Sequence, residues 1–373
     1  MVIRPTGLGD LLMSLPALRA LRRAHPDAEL VTTCPAPLVP LARLAGVADR
    51  FVTEVSPNGG RAPGSGGAAP LDPSRHRETN AAILDNVFAE PRRGDVETVV
   101  VLKMPEDELS RRVLDRRPGR VVLFRHPDVP GTAGATTYVE DDHILDRWER
   151  LLTRAGMPPA RADLYLALPS ADDGGAARDG AARDGAARDG ARDPAPTVLH
   201  LGAGSPSRRW PARRWSDVAA GLAGDGHRVV FSGSPAERGL AAGVAAAAGL
   251  DTASNLAGTT DVVQLARLVR SARLVLSTDT GVPHLAAVYR RPSVAIFGPT
   301  PPGTWGPPAG STGHRVLWSG RTGVMYGPQT DPGLLDITAG EVLDAAREVD
   351  ADPGGTGPDG PVTPDPLRSI RRT

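Results

Sequence analysis

Cysteine is almost missing from this chain. Cys34 is the only one in 373 residues, which excludes an intrachain disulfide framework and any metal site built from cysteines. Lysine is equally scarce, with Lys103 alone, so arginine carries the cationic charge. Charge of one sign is also lacking: Lys+Arg and Asp+Glu are both 43. Without a basic or acidic excess, neither nucleic acid nor an anionic membrane is expected as the main partner. No apolar run approaches the ~20 residues of a membrane span, and the start of the chain has no signal-peptide pattern. A cytoplasmic location is expected, with peripheral contact to a membrane left open. No His/Asp/Glu grouping has metal-ligand spacing. The one D-x-D, Asp350 to Asp352, lies in a Pro/Gly-rich tail, so a metal-dependent transferase is disfavoured.

Alanine, glycine and proline are plentiful. Together with the single lysine they suggest a GC-rich genome, so a lone arginine carries less functional weight than usual. At 40% hydrophobic residues the chain is long enough for two cores. From the start, strand-like and helix-like patterns alternate. "MVIR" reads as a short strand, "GLGD" as a turn, and residues 11–24 as an amphipathic helix with Leu11, Leu12, Leu15, Leu18 and Leu21 on its apolar face. "ELVTTC", residues 51–55, "ETVVVLK" and "RVVLF" read as strands, with helices over 38–45 and 142–155. Such alternation predicts a parallel sheet covered on both sides. Residues 57–73 form a Gly/Pro/Ala-rich loop.

Residues 171–196 contain "GAARDGAARDGAARDGARD", a five-residue repeat with almost nothing to bury, expected to be a disordered linker. The alternation then restarts: "TVLHLGAG", "RVVFSGS", 274–277 and 293–297 as strands; 215–223, 235–248, 262–271, a helix opening near Val282, and 338–349 as helices. The expected organisation is therefore an α/β domain over 1–170, a linker over 171–196, a second α/β domain over 197–337, a C-terminal helix over 338–349 and a frayed tail over 350–373. Open parallel sheets bind ligands at the carboxyl ends of their strands, so both halves should turn those ends into a shared cleft.

The most informative segment is "LVLSTDTGVPHLAAVYRRPSVAIFGPT". A strand ending in Thr-Asp-Thr-Gly before a helix sets free backbone N–H groups and small hydroxyls at the positive end of a helix dipole, a cradle for phosphate. His284, one turn on, can reach the same spot or pack silently. In "HLGAGSPSRRWPARRW", the turn with Gly204 and Ser205 lets backbone approach phosphate oxygens, and Arg208 can fork onto a diphosphate or lie in solvent. Glu237 in "SGSPAE" can accept ribose hydroxyls or complement a helix dipole. "GLGDLLM" is only a weak dinucleotide fingerprint, since Leu12 or Met13 stands where a small residue belongs. Asp10 within it is either a helix-start carboxylate or a general base for an attacking hydroxyl.

As an ordered set, these pieces resemble glycosyltransferase family 9, the ADP-heptose:lipopolysaccharide heptosyltransferase group. The likeness is carried by "GLGDLLMSLPALRALRRAHPDAEL", "HLGAGSPSRRWPARRWSDVA", "FSGSPAE", "NLAGTTDVVQLARLVRSARLVLSTDTGVPHLAA" and "AIFGPTPPGTWGP". It implies a GT-B architecture, with two Rossmann-like domains and a cleft between them, and inverting, metal-independent transfer without a cofactor. The donor would be a nucleotide sugar, ADP-linked, and the acceptor a glycan or small molecule. On matching positions Asp10 would be the base and Arg208 would bind the donor phosphate. Gly204 and Ser205 belong to the same donor-binding turn. Glu237 would contact the nucleoside and Asp279 the donor sugar, with Thr280, Gly281 and His284 at the diphosphate. Three departures stand out. Arginine replaces the family's usual lysine at Arg208, exchanging a point charge for a planar fork. The short first strand points to a start upstream of Met1. The GC-rich composition also makes the donor class better supported than a lipopolysaccharide acceptor. The rival readings are a nucleotide-sugar epimerase on the same architecture and a non-catalytic nucleotide-binding relative.

Overall fold

The computed structural model describes residues 1–3, 7–53, 96–166, 194–308 and 310–352. The loop expected over 57–73, nearly all of the repeat segment and the tail beyond residue 352 lie outside the described residues.

Two five-stranded sheets organise the chain. The first contains β1 (Val2–Ile3), β2 (Val31–Thr33), β3 (Arg50–Val52), β4 (Thr98–Val101) and β5 (Arg120–Val122). Its order is β3-β2-β1-β4-β5, with every pairing parallel. The second contains β6 (Thr197–His200), β7 (Val229–Ser232), β8 (Leu274–Thr278), β9 (Ser293–Phe297) and β10 (His314–Trp318). Its order is β10-β9-β8-β6-β7, again all parallel. Strand order reverses between β1 and β4 in one sheet and between β6 and β8 in the other. These are the switch points where open α/β sheets leave a crevice for ligands. The buried runs LVLST of β8 and SVAIF of β9 are apolar enough to be covered on both faces, as central parallel strands must be.

At the start of the chain the structure corrects the expected turn. GLGD is not a turn ahead of one long helix. Helix α1 (Leu8–Met13) begins at once, with Gly7 as its extended N-cap, and α2 (Leu15–Ala24) follows. The break falls at Ser14 because Pro16 has no N–H and its ring excludes the carbonyl four residues earlier. The Ser14 hydroxyl takes up slack by donating to the Asp10 carbonyl at 2.6 Å. Helices α3 (Val39–Leu44), α4 (Asp107–Asp115) and α5 (Ile144–Arg154) complete the described first half.

Around the second sheet lie α6 (Ala212–Gly224), α7 (Arg238–Ala247), α8 (Val262–Arg270), α9 (Gly281–Val288) and α10 (Pro302–Trp305), then α11 (Pro332–Asp336) and α12 (Ala339–Ala351). The last helix packs against β8, β9, β10 and α6. It runs past the expected end at 349. Asp350 is not frayed: it accepts two hydrogen bonds from the Arg273 guanidinium, at 2.7 and 2.5 Å.

The halves are fused through their cores. One cluster of buried side chains runs from Leu12, Leu15, Leu18 and Trp148 of the first half to Val282, Leu285 and Ala286 on α9 of the second. A separate cluster, including Trp215, Phe231 and Ile296, lies inside the second half. The fusion depends on two glycines where the first turns of α1 and α9 meet. A Cβ on Gly9 would stand 2.7 Å from Cδ2 of His284, and one on Gly281 would stand 2.6 Å from Cβ of Leu8. Neither position has room for a side chain.

Gly281→Ala is therefore expected to destabilise the protein by about 1–3 kcal/mol, the usual cost of overpacking. Gly243→Ala, at an exposed site in α7 where an added Cβ meets nothing within 4 Å, should stabilise by roughly 0.5–1 kcal/mol. Urea unfolding of the two variants checks the opposite signs.

Candidate functional site

The loops after β1, β6 and β8 converge at the two switch points. Asp10 is the third residue of α1, and its carboxylate accepts the Gly7 N–H at 3.2 Å. That is the helix-start role open to it from sequence. It leaves the carboxylate partly exposed, beside the contact between Gly9 and α9. Opposite, Thr280 caps α9 by accepting the Val282 N–H at 3.3 Å and lies 3.0 Å from the Ser277 hydroxyl. The early N–H groups of α9 have no helical carbonyl to bond and carry the positive end of the dipole.

Arg208 reaches this loop from the Gly-rich turn. Its Nη1 donates to the Asp279 carbonyl at 3.0 Å and lies 3.9 Å from the Asp279 carboxylate. Gly204 lies against the same guanidinium, so that an added Cβ would meet Nη2 at 3.5 Å. Burial raises the Asp279 pKa, and the Arg208 charge opposes that rise. Two buried polar atoms beside this pair, Arg208 Nε and Thr278 Oγ1, have no hydrogen-bond partner. An anionic ligand with several oxygens fits such a set: a guanidinium edge, a hydroxyl and a helix N-terminus.

His284 is 5% exposed. Burial, then the nearby His143, push its pKa down to about 4, so its ring is neutral near pH 7. It packs edge-on against Trp305 at 6.1 Å between centroids. His143 crosses between the halves from the start of α5, its Nε2 lying 3.1 Å from the Gly306 carbonyl. The Leu145 N–H donates to His143 Nδ1, which makes Nε2 the protonated nitrogen that donates to Gly306.

Glu237 stands at the carboxyl ends of β6 and β7, away from Asp279. Its Oε2 accepts the Ser234 N–H at 2.7 Å, and its carboxylate occupies the space over Gly202, where a Cβ would overlap it. The capping role is thus realised, and the carboxylate also lines the crevice between those strands. Ser205 is 1% exposed; its hydroxyl lies 2.9 Å from that of Ser207 and donates to the Gly327 carbonyl at 3.3 Å. Its side chain holds the loop of residues 324–327 in place.

That loop supplies a residue the sequence reading missed. The Tyr326 ring lies under the Arg208 guanidinium at 5.9 Å. Its pKa is raised by burial, with the Arg208 charge lowering it and the Asp10 and Asp279 charges raising it. All three of those side chains therefore lie within electrostatic reach of one phenol. No spacing rule marks Tyr326, because it comes from a turn between Gly323 and Gly327 with no periodic pattern.

Among the described residues, no group of three or more His, Cys, Asp or Glu side chains could hold a metal ion. Cys34 is buried, and its thiol is pushed up to about 12. Also among the described residues, no helix is long and apolar enough to cross a membrane.

Two parallel α/β halves with their strand ends turned on one another define the GT-B class of glycosyltransferase fold. Residues 137–321 match the profile of glycosyltransferase family 9 (heptosyltransferase). Lipopolysaccharide heptosyltransferase 2 of Salmonella typhimurium is 29% identical over 160 residues, covering 40% of this chain and 44% of that protein. The matched part thus spans less than half the length of that curated relative. Among solved structures, the family 9 glycosyltransferase from Veillonella parvula matches with a TM-score of 0.63 and 18% identity, covering 94% of this chain and 96% of that one. The E. coli heptosyltransferase WaaC with ADP matches with a TM-score of 0.61 and 17% identity, covering 94% and 97%.

The buried histidines set a pH dependence. His284 and His314 both fall from 6.5 to about 4 in the folded chain, so above pH 6.5 they cost nothing. Below it the unfolded chain takes up protons that the native state refuses, and stability falls until about pH 4. Each shift corresponds to about 3 kcal/mol over that window. The urea midpoint should drop between pH 7 and 4.5, and His314→Asn should remove part of the drop.

Proposed function

We propose that the protein is an inverting glycosyltransferase that moves a sugar from a nucleotide diphosphate donor to an acceptor hydroxyl without using a metal ion. Heptose is the favoured sugar and ADP the favoured nucleotide. The single observation that carries this reading is the placement of Asp10 beside the α1–α9 contact, across from the anion-fitting set of Arg208, Thr278 and the α9 N-terminus. A module that only binds nucleotide has no need for a carboxylate base there, and an epimerase would turn over the donor without any acceptor. The donor preference is supported by the family match and by the ADP held in the E. coli relative.

In the proposed step an acceptor hydroxyl lies against Asp10. Its oxygen attacks the anomeric carbon from the face opposite the leaving group, and Asp10 takes its proton. The bond to the diphosphate breaks, and the released negative charge is held by the Arg208 guanidinium and the first N–H groups of α9. These donors are fixed before reaction, because Arg208 is braced on the Asp279 carbonyl and Thr280 caps the helix. His284 is neutral, so it serves as a hydrogen-bonding and packing group at the diphosphate end and adds no cation. Glu237, at the ends of β6 and β7, would contact the nucleoside, with one carboxylate oxygen engaged by the Ser234 N–H. Asp279 borders the sugar. The acceptor, a glycan or small molecule, would enter from the Asp10 side.

Asp10→Asn keeps the shape and the helix start but removes the base. It should lower the transfer rate at least 10²-fold, the lower end for a positioned general base, and leave ADP affinity within about twofold of wild type (roughly 0.4 kcal/mol). Single-turnover transfer from ADP-heptose, with calorimetric ADP titration of both proteins, measures this. Transfer near the wild-type rate would remove Asp10 as the base.

A further inference from the structure

The loop after β10 is anchored to the Gly-rich turn by several bonds. The Ser207 hydroxyl donates to the Met325 carbonyl at 2.5 Å, the Ser207 N–H to the Gly327 carbonyl at 3.2 Å, and the Ser205 hydroxyl to that same carbonyl at 3.3 Å. Gly327 in turn donates to the Val324 carbonyl at 3.1 Å, closing a tight turn with Tyr326 at its tip. Both serines are at most 2% exposed, so the anchor is internal. Their turn also carries Arg208. The loop and the diphosphate-binding cation therefore share one support.

The tip of this turn faces the cleft. Tyr326 is 40% exposed, with its ring 5.9 Å from the Arg208 guanidinium, and the Asp10 and Asp279 charges reach its phenol. A transferred sugar has to lie between the base and the diphosphate. A ring set against Arg208, on a loop tied to the turn that carries Arg208, borders that space. A tyrosine phenol is protonated at neutral pH, so its hydroxyl can donate to a sugar oxygen, while its ring supports the guanidinium by cation–π contact.

We infer that Tyr326 is a donor-sugar contact: its hydroxyl donates to a hydroxyl of the transferred sugar, and its ring holds Arg208 against the diphosphate. This assignment rests on the transferase reading above. It separates two functions within one side chain. The hydroxyl discriminates nucleotide sugar from bare nucleotide; the ring serves both.

Tyr326→Phe and Tyr326→Leu, measured beside wild type, separate these functions. The readouts are ADP and ADP-heptose affinity by calorimetry, kcat and KM for transfer, and thermal unfolding. Tyr326→Phe should bind ADP like wild type, bind ADP-heptose about tenfold more weakly, as for one lost hydrogen bond, and unfold at the wild-type temperature. Tyr326→Leu should weaken ADP as well. Equal ADP-heptose affinity and equal kcat/KM in wild type and Tyr326→Phe would overturn the sugar contact while leaving the transferase reading standing. A wild-type protein that binds no ADP-heptose would overturn both.

Discussion

The contact of two helix starts through bare glycine backbone is the constraint on which the rest of the structure depends. Gly9 on α1 and Gly281 on α9 let the first turns of helices from different sheets touch, with His284 and Leu8 filling the space where side chains would be. Each helix follows a strand at the switch point of its own sheet. Their contact therefore brings two crevices, which separate sheets would each have alone, into one cleft. It also points two positive dipole ends into the same small volume, where an anion is the favoured occupant.

Charge within that volume is arranged with little redundancy. Arg208 is the cation, braced by the Asp279 carbonyl and flanked by its carboxylate. His284 adds no charge, since burial lowers its pKa to about 4; burial also lowers the pKa of His143 and His200. An arginine suits this setting better than a lysine would. A planar fork can bond the Asp279 carbonyl with one nitrogen and still offer another edge to a diphosphate, while its face rests on Tyr326.

Much of this could be read from the chain before its structure. The parallel α/β halves followed from alternating strand and helix patterns, and the Thr-Asp-Thr-Gly helix start was legible because small residues before an apolar helix have a direct mechanical meaning. What stayed hidden had no local signal. The β10 strand, HRVLW, alternates too weakly at the sheet edge to stand out, and α4, DELSRRVLD, is short and strongly polar. GLGD looked like a turn because glycine usually ends regular structure; here Gly9 is spared a side chain by a helix from the other half. Tyr326 depends on a serine anchor more than a hundred residues away, a relation that no window of sequence displays.

The ligand that the cleft beside the α1–α9 contact takes up decides the function. Thermal unfolding with ADP, UDP, GDP, dTDP and NAD in separate samples tests it most directly. A ligand at a hundredfold its Kd adds about 2.7 kcal/mol to the folded state, a rise of several degrees. The account predicts a selective rise with ADP. A rise with NAD alone, or none with any nucleoside diphosphate, would contradict it.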